Sequence, residues 1–241
     1  MEKVLEVRDL QVEFKNKKGL FDKVVVKRVL EDIDFDIYEG EIVGLVGESG
    51  SGKSTIAKSI LNLIPYSGSV QNYSERPQMV FQDPYSSLNP SKKIGWLLDE
   101  ALRLDGVLDK DIRKSKVESM ITLVGLETDY LERYPRELSG GQRQRVCLAL
   151  ALMQEPKLLI ADEPVSALDV TIQTQVLELL KELHDRMGLS ILFISHDLRV
   201  VYNVCDRVLI LKQGRIVEEG TPKEVYSNPQ NEYTKQLLAS I

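Results

Sequence analysis

Apolar and polar residues alternate along VLEVRDLQVEF, from Val4 to Phe14, and again along LEDIDFDI, from Leu30 to Ile37. A period of two predicts strands with one covered face. Between them KNKKGLFDK reads as a basic loop, and Tyr38-Glu39-Gly40 as a turn. Three later segments follow another pattern: IVGLVG (Ile42 to Gly47), LLIAD (Leu158 to Asp162) and ILFISH (Ile191 to His196). Each is a short continuous apolar run that meets a polar or glycine-rich stretch at once. Such runs suit parallel strands buried on both faces, and each precedes a helical pattern, as in βα units. Right-handed crossovers would bring their polar ends to one sheet edge, where ligands of such sheets bind. Lys53, Asp162, Glu163 and His196 are therefore expected to converge.

Helical spacing is clear after Asp169, where Val176, Leu179, Leu180, Leu183 and Met187 recur on one face and Gly188 offers a stop. His184 on this helix is given no role. From about Pro84 to Glu137 the patterns IGWLLDEALRL and DIRKSKVESMITLVGL are helical, with no buried-strand run between them. This predicts one domain over residues 1–241, with a helical subdomain inserted at about 84–140. NEYTKQLLASI closes the chain as a short helix.

Charge narrows the possibilities. The 31 basic and 37 acidic residues give a net charge of −6, which argues against a general nucleic-acid binder. Cys147 and Cys205 form no CxxC or Cys/His cluster, so no zinc site is expected, and a reducing cytoplasm is. MEKVLEVRDL lacks the apolar core of a signal peptide. The longest uninterrupted apolar run, Val146 to Met153, is far short of the roughly 20 residues that a membrane helix needs. Any membrane role would run through a partner.

Gly47-Glu48-Ser49-Gly50-Ser51-Gly52-Lys53-Ser54 matches G-x-x-x-x-G-K-[ST], with a buried strand before it and the helical pattern TIAKSILNLI after Ser54. With ordinary glycine usage, a chain this long matches by chance about once in a hundred. The glycines let backbone N–H groups ring phosphates, and the helix N-terminus adds its dipole. Lys53 would neutralise the β and γ phosphates, and the Ser54 hydroxyl would bind Mg²⁺. In LLIADEP, Asp162 leaves the strand where a carboxylate can hold that Mg²⁺, and Glu163 can polarise an attacking water. An acidic pair at a strand end is more often a solvated turn, and a single histidine more often structural. The shared sheet edge favours function for Asp162, Glu163 and His196, whose imidazole could reach a γ phosphate. Gln82, after QMVF, could touch metal or water without adding charge.

LSGGQRQR, Leu138 to Arg145, poses the harder question. Ser139 can cap a helix, and Gln142 completes an S-x-x-Q capping box. Gly140 and Gly141 permit close backbone approach. These residues alone predict an anion-competent helix start before a buried helix, with no anion assigned.

Together the residues resemble a known family. Gly47–Thr55, Gln82, Leu138–Gln142, Leu158–Glu163, SALD (Ser166–Asp169) and His196 follow the order and rough spacing of an ABC transporter nucleotide-binding subunit over nearly the whole chain. FQDPYSSLNP, LSGGQRQRV, the KGLF loop near Phe21 and GTPKEVYSNPQNEYTKQLL are similar to the oligopeptide, dipeptide and nickel importer ATPases, and the loop to the second of two non-identical ATP-binding subunits. The resemblance implies an α/β fold: a P-loop NTPase core with a mostly parallel sheet, an N-terminal antiparallel β subdomain and an inserted helical subdomain.

It also implies a head-to-tail dimer with ATP and Mg²⁺ at the interface, on the cytoplasmic face of the membrane. Ser139, Gly140, Gly141 and Gln142 would touch ATP held by the partner's Gly47–Thr55 segment, and Asp169 would align the two sites. Glu163, His196 and Gln82 would be catalytic; Ser54, Gln82 and Asp162 would hold the metal; Phe21 would stack on adenine. Partners would be a second ATPase subunit (a non-identical paralogue or a second copy), membrane permease subunits and, indirectly, an extracytoplasmic substrate-binding protein. Cargo would be peptides, nickel or a metal complex. SGSVQNYSERPQ is shorter than the usual region before the glutamine strand, and the cysteine-bearing C-terminal extension of many relatives does not follow Ile241. Other readings are an ABC ATPase with different cargo, a soluble ABC ATPase, a GTPase and a regulatory module. The nearest string to a guanine motif, Asn16-Lys17-Lys18-Gly19, lacks its Asp, and Glu163 and His196 argue for turnover.

Overall fold

The computed structural model describes residues 2–16, 25–74, 76–166 and 168–239. In chain order the strands are β1 (Lys3–Asn16), β2 (Val25–Tyr38), β3 (Ile42–Val46), β4 (Ser67–Asn72), β5 (Gln78–Val80), β6 (Leu158–Asp162), β7 (Ser190–Ser195), β8 (Arg207–Lys212) and β9 (Arg215–Gly220). The helices are α1 (Lys53–Ile60), α2 (Pro84–Ser87), α3 (Ile94–Leu104), α4 (Lys110–Leu123), α5 (Gly140–Leu152), α6 (Val170–Met187), α7 (Leu198–Val204), α8 (Pro222–Ser227) and α9 (Glu232–Ala239).

The strands form two sheets. An antiparallel one has the order β2-β1-β4, and a six-stranded one the order β5-β6-β7-β3-β8-β9. The pairs from β5 through β8 are parallel, and β9 runs antiparallel to β8. This is the mostly parallel α/β core with an antiparallel N-terminal sheet that the sequence predicts. The three continuous apolar runs became the adjacent central strands β6, β7 and β3, each buried along its length.

Alternation within those strands explains why both faces are apolar. Val43, Leu45, Ile160, Leu192 and Ile194 share a core with Leu5, Val7, Leu30, Ile33 and Phe35 of the antiparallel sheet and with Ile56 and Ile60 of α1. Their neighbours Ile42, Val46, Leu159, Ala161, Ile191 and Phe193 pack in a second core with α3, α4, α5 and α6. Each fully buried aliphatic side chain contributes about 1.5–3 kcal/mol, so a polar residue on either face would be costly.

Residues 84–137 carry α2, α3, α4 and two 3-10 turns, at Thr128–Glu132 and Pro135–Glu137. Leu97, Leu98, Val117 and Ile121 of this stretch are buried in the same core as Val146 and Leu148 of α5. Helix α6 starts on Asp169, whose carboxylate accepts from the Ile172 N–H at 3.1 Å, and ends at Gly188 with φ 63°. Among the described residues no helix is long and apolar enough to cross a membrane.

Strand registers position the site. Val46 of β3 pairs with Ser195 of β7, Asp162 of β6 with Ile194, and Val80 of β5 with Ala161. The residues after β3, β5, β6 and β7 therefore emerge at one edge. The sequence reading passed over the β8–β9 hairpin, which closes through Gln213 and Gly214, both at positive φ (47° and 80°). That geometry suits a tight two-residue turn between antiparallel strands.

Candidate functional site

Beyond β3 the chain runs through Gly47–Gly52 into α1. Gly52 caps this helix at φ 115°, and no side chain bonds to the helix start. The first N–H groups of α1 thus remain available to an anion. A Cβ at Gly47 would lie 2.2 Å from the Leu211 carbonyl oxygen, so only glycine fits where the loop passes β8. Lys53 is buried, and its ammonium donates to the carbonyls of Gly47 (2.6 Å) and Glu48 (3.0 Å). Burial holds its pKa below the usual lysine value, against the pull of Glu163 and Asp162.

Three polar groups meet on the Glu163 carboxylate. Gln82 donates its amide N–H at 3.0 Å, His196 Nδ1 lies at 3.2 Å, and Lys53 Nζ at 4.0 Å. Glu163 itself has φ 47°, a left-handed conformation that an ordinary side chain rarely adopts. Its N–H donates to the Ile194 carbonyl at 2.9 Å, which fixes the turn against β7. Strained backbone of this kind clusters at functional sites. The carboxylate is thus oriented by an amide, an imidazole and an ammonium contributed by three other segments of the chain.

Asp162, immediately before it, is buried, and its Oδ1 has no hydrogen-bond partner. Burial raises its carboxyl above the usual range; the Ser54 hydroxyl bond and the charges of Lys53 and Lys58 oppose that. An orphaned carboxylate oxygen beside a serine hydroxyl is a hard oxygen donor set, which fits Mg²⁺.

These groups line one cavity of about 920 Å³, with Phe14, Lys27, Val29 and Leu237 completing its wall. Of the residues singled out in the sequence, it takes in Gly47–Gly50, Gly52–Thr55, Gln82, Glu163 and His196. Asp162 is not on its wall but interacts with Ser54, which is, and the Ser51 carbonyl accepts from Gly214 N of the β8–β9 turn at 2.9 Å. Phe21 lies outside the described residues. Phe14 is the aromatic ring on the cavity wall, and the sequence reading missed it. Its strand pattern places it on one face with Leu10 and Val12 and gives no sign that this end of the strand borders a cavity.

Ser139–Gln142 lie elsewhere. Ser139 Oγ accepts from Gln142 N at 3.4 Å, and Gln142 Oε1 accepts from Ser139 N at 2.9 Å, closing the capping box. The Gln142 amide also donates to the Tyr130 hydroxyl at 2.9 Å. Ser139, Gly141 and Gln142 line a separate cavity of about 370 Å³ with Tyr130, Arg133 and Arg145. Gly141 is needed for packing, since a Cβ there would sit 2.4 Å from Ile172 Cγ2 of α6. Cys147, further along α5, is buried, which pushes its thiol up to about 12 and leaves it an inert core residue.

Known proteins resemble the chain closely. A family model described as ABC transporter matches residues 30–166. The oligopeptide transport ATP-binding protein OppF of Streptococcus mutans is 44% identical over 99% of this chain and 82% of its own length. The dipeptide transport ATP-binding protein DppF of Haemophilus influenzae is 45% identical over 93% of this chain and 73% of its own. Among solved structures, an ATP-binding cassette bound to ADP and Pi in a dimeric post-hydrolysis state superposes with a TM-score of 0.77 at 26% identity, covering 90% of this chain and 98% of that one.

Proposed function

The chain belongs to the ABC transporter family of ATP hydrolases, and on that premise we propose that it is the ATP-hydrolysing subunit of a peptide importer. The observation that carries the site assignment is the convergence of Gln82, His196 and Lys53 on Glu163 within the phosphate-loop cavity. ATP would lie with its phosphates on Gly47–Thr55 and its adenine towards Phe14. Glu163 would take the proton of the attacking water as general base. His196 and Gln82 hold that carboxylate now, and His196 would turn to the γ phosphate. Lys53 would exchange its carbonyl partners for phosphate oxygens. Ser54, Asp162 and Gln82 would hold Mg²⁺, which supplies charge neutralisation at the phosphates when bound.

The second cradle, Ser139–Gln142, would serve an ATP held by another ATPase subunit in a head-to-tail pair, with Asp169 near the shared interface. Its separation from the phosphate-loop cavity supports this, as does the dimeric state of the solved relative. The pair would act on membrane permease subunits at the cytoplasmic face, supplied by an extracytoplasmic binding protein. Peptide cargo is supported by what the relatives are named for. Nickel or another metal complex, the alternative cargo, would show as competition by nickel chelates in the same assay.

The test is transport by the intact complex in vesicles. Peptide uptake should require ATP and cease in Glu163→Gln, which should still bind ATP. Uptake at the wild-type rate by that variant would refute the assignment.

A further inference from the structure

Helix α9 lies outside the stretch matched by the family model, 30–166, yet it reaches the nucleotide cavity. Tyr233 is 4% exposed, and its hydroxyl oxygen accepts from the Glu48 backbone N–H at 3.1 Å. Lys212 Nζ sits 4.7 Å from the centroid of the Tyr233 ring. One turn further along, Leu237 lines the cavity wall. The start of α9 is itself clamped to β9: Glu218 accepts from the N–H groups of Gln230 (2.7 Å) and Asn231 (3.0 Å). Asn231 Oδ1 accepts from Tyr233 N at 2.9 Å.

Gly47 C=O and Glu48 N–H belong to one peptide unit. A trans peptide is planar, and its carbonyl and N–H point in opposite directions. Here the carbonyl holds the Lys53 ammonium at 2.6 Å, while the N–H is held from the other side by Tyr233. The plane that carries Lys53's carbonyl partner is therefore pinned from the C-terminal helix.

We infer that Tyr233 is a positioning residue for the phosphate loop, acting through the Gly47–Glu48 peptide on Lys53, and that α9 is coupled to occupancy of the ATP cavity. This rests on the reading of that cavity as the ATP site. Replacing the hydroxyl by hydrogen frees the peptide plane to rotate while keeping the buried ring and its contact with Lys212.

The experiment compares Tyr233→Phe, Lys53→Ala and the unsubstituted full chain by ATP titration, steady-state hydrolysis and thermal melting. For Tyr233→Phe, the neutral hydrogen bond lost should weaken ATP binding and raise KM roughly threefold to tenfold. Its kcat should stay within about twofold, because the reacting groups are untouched. Unchanged affinity and KM would overturn the inference, as would a lowered melting temperature with unchanged affinity, which marks a purely structural residue. If Lys53→Ala also binds ATP normally, the site reading fails; if only Lys53→Ala is impaired, this inference alone fails. Hydrogen exchange on the unsubstituted protein adds a test that needs no variant to fold. ATP should slow amide exchange across 232–239, and unaltered exchange there would overturn the coupling.

Discussion

Two glycine-rich helix starts in this molecule are built alike and left in different states. At Gly47–Thr55 the helix start has no side-chain cap, its lysine is buried, and an acidic cluster faces it. At Ser139–Gln142 the helix start is closed by its own capping box and rests on Ile172 and Tyr130. The first holds unmet electrostatic demand inside one chain: a desolvated ammonium, an orphaned carboxylate oxygen, and a glutamate in a left-handed backbone. In the second, the Gln142 N–H is capped by the chain's own Ser139, and no carboxylate cluster faces it among the described residues. A helix start can bind an anion in either state, but only the first is surrounded by groups that could act on what it binds.

The largest effect should come from Glu163→Gln, which keeps the side-chain shape and removes the base. Hydrolysis should fall roughly hundredfold to ten-thousandfold, with ATP affinity retained, as read by single-turnover assays beside nucleotide titration. A parallel loss of affinity would mean that Glu163 shapes the loop more than it acts on water. The second region is probed by Gly141→Ala. The added methyl group meets Ile172 and should cost about 1–2 kcal/mol of stability by denaturant titration. An unaltered midpoint would show that α5 and α6 can shift apart there.

The smallest expected effect also separates function from stability. Asp162→Asn should raise the stability of the nucleotide-free protein at neutral pH by about 1 kcal/mol, because it removes a buried carboxylate charge. Burial raises the carboxyl of Asp162 in the folded chain, so the folded state binds its proton more tightly than the unfolded state. The penalty is fully present above that raised pKa and fades as pH falls towards the usual carboxylate range. The variant's advantage should therefore shrink on acidification, and a gap that widened would contradict the assignment. Magnesium-supported hydrolysis should fall in the same variant.

Much of this contrast was legible in the residues. Runs such as LLIAD and ILFIS lie in strands covered on both faces, so their apolar continuity reported the sheet directly. The common edge followed from parallel topology, and it placed Lys53, Asp162, Glu163 and His196 together. Phe14 was hidden because the alternation reads it only as one more residue on the face of Leu10 and Val12, and its place on the cavity wall depends on where the Gly47–Thr55 segment lies in the fold. The β8–β9 hairpin was passed over because no helix follows β8; its signal was the Gln213–Gly214 pair after the buried run of Val208 to Leu211. Tyr233 could not be read at all, since its value lies in a contact with Glu48 made far along the chain. The left-handed Glu163 likewise shows only in the fold.

The central claim is that one cradle holds this chain's own ATP and the other serves a different subunit's. It is tested most directly by measuring ATP affinity of the full chain, diluted until monomeric, in Lys53→Ala and Ser139→Ala side by side. Lys53→Ala should weaken binding by about a hundredfold or more, as expected for loss of a buried charge-assisted contact. Ser139→Ala should bind as tightly as the unsubstituted chain. Equal weakening in the two variants would mean that Ser139 contacts this chain's own nucleotide, and the division of labour between the two helix starts would be wrong.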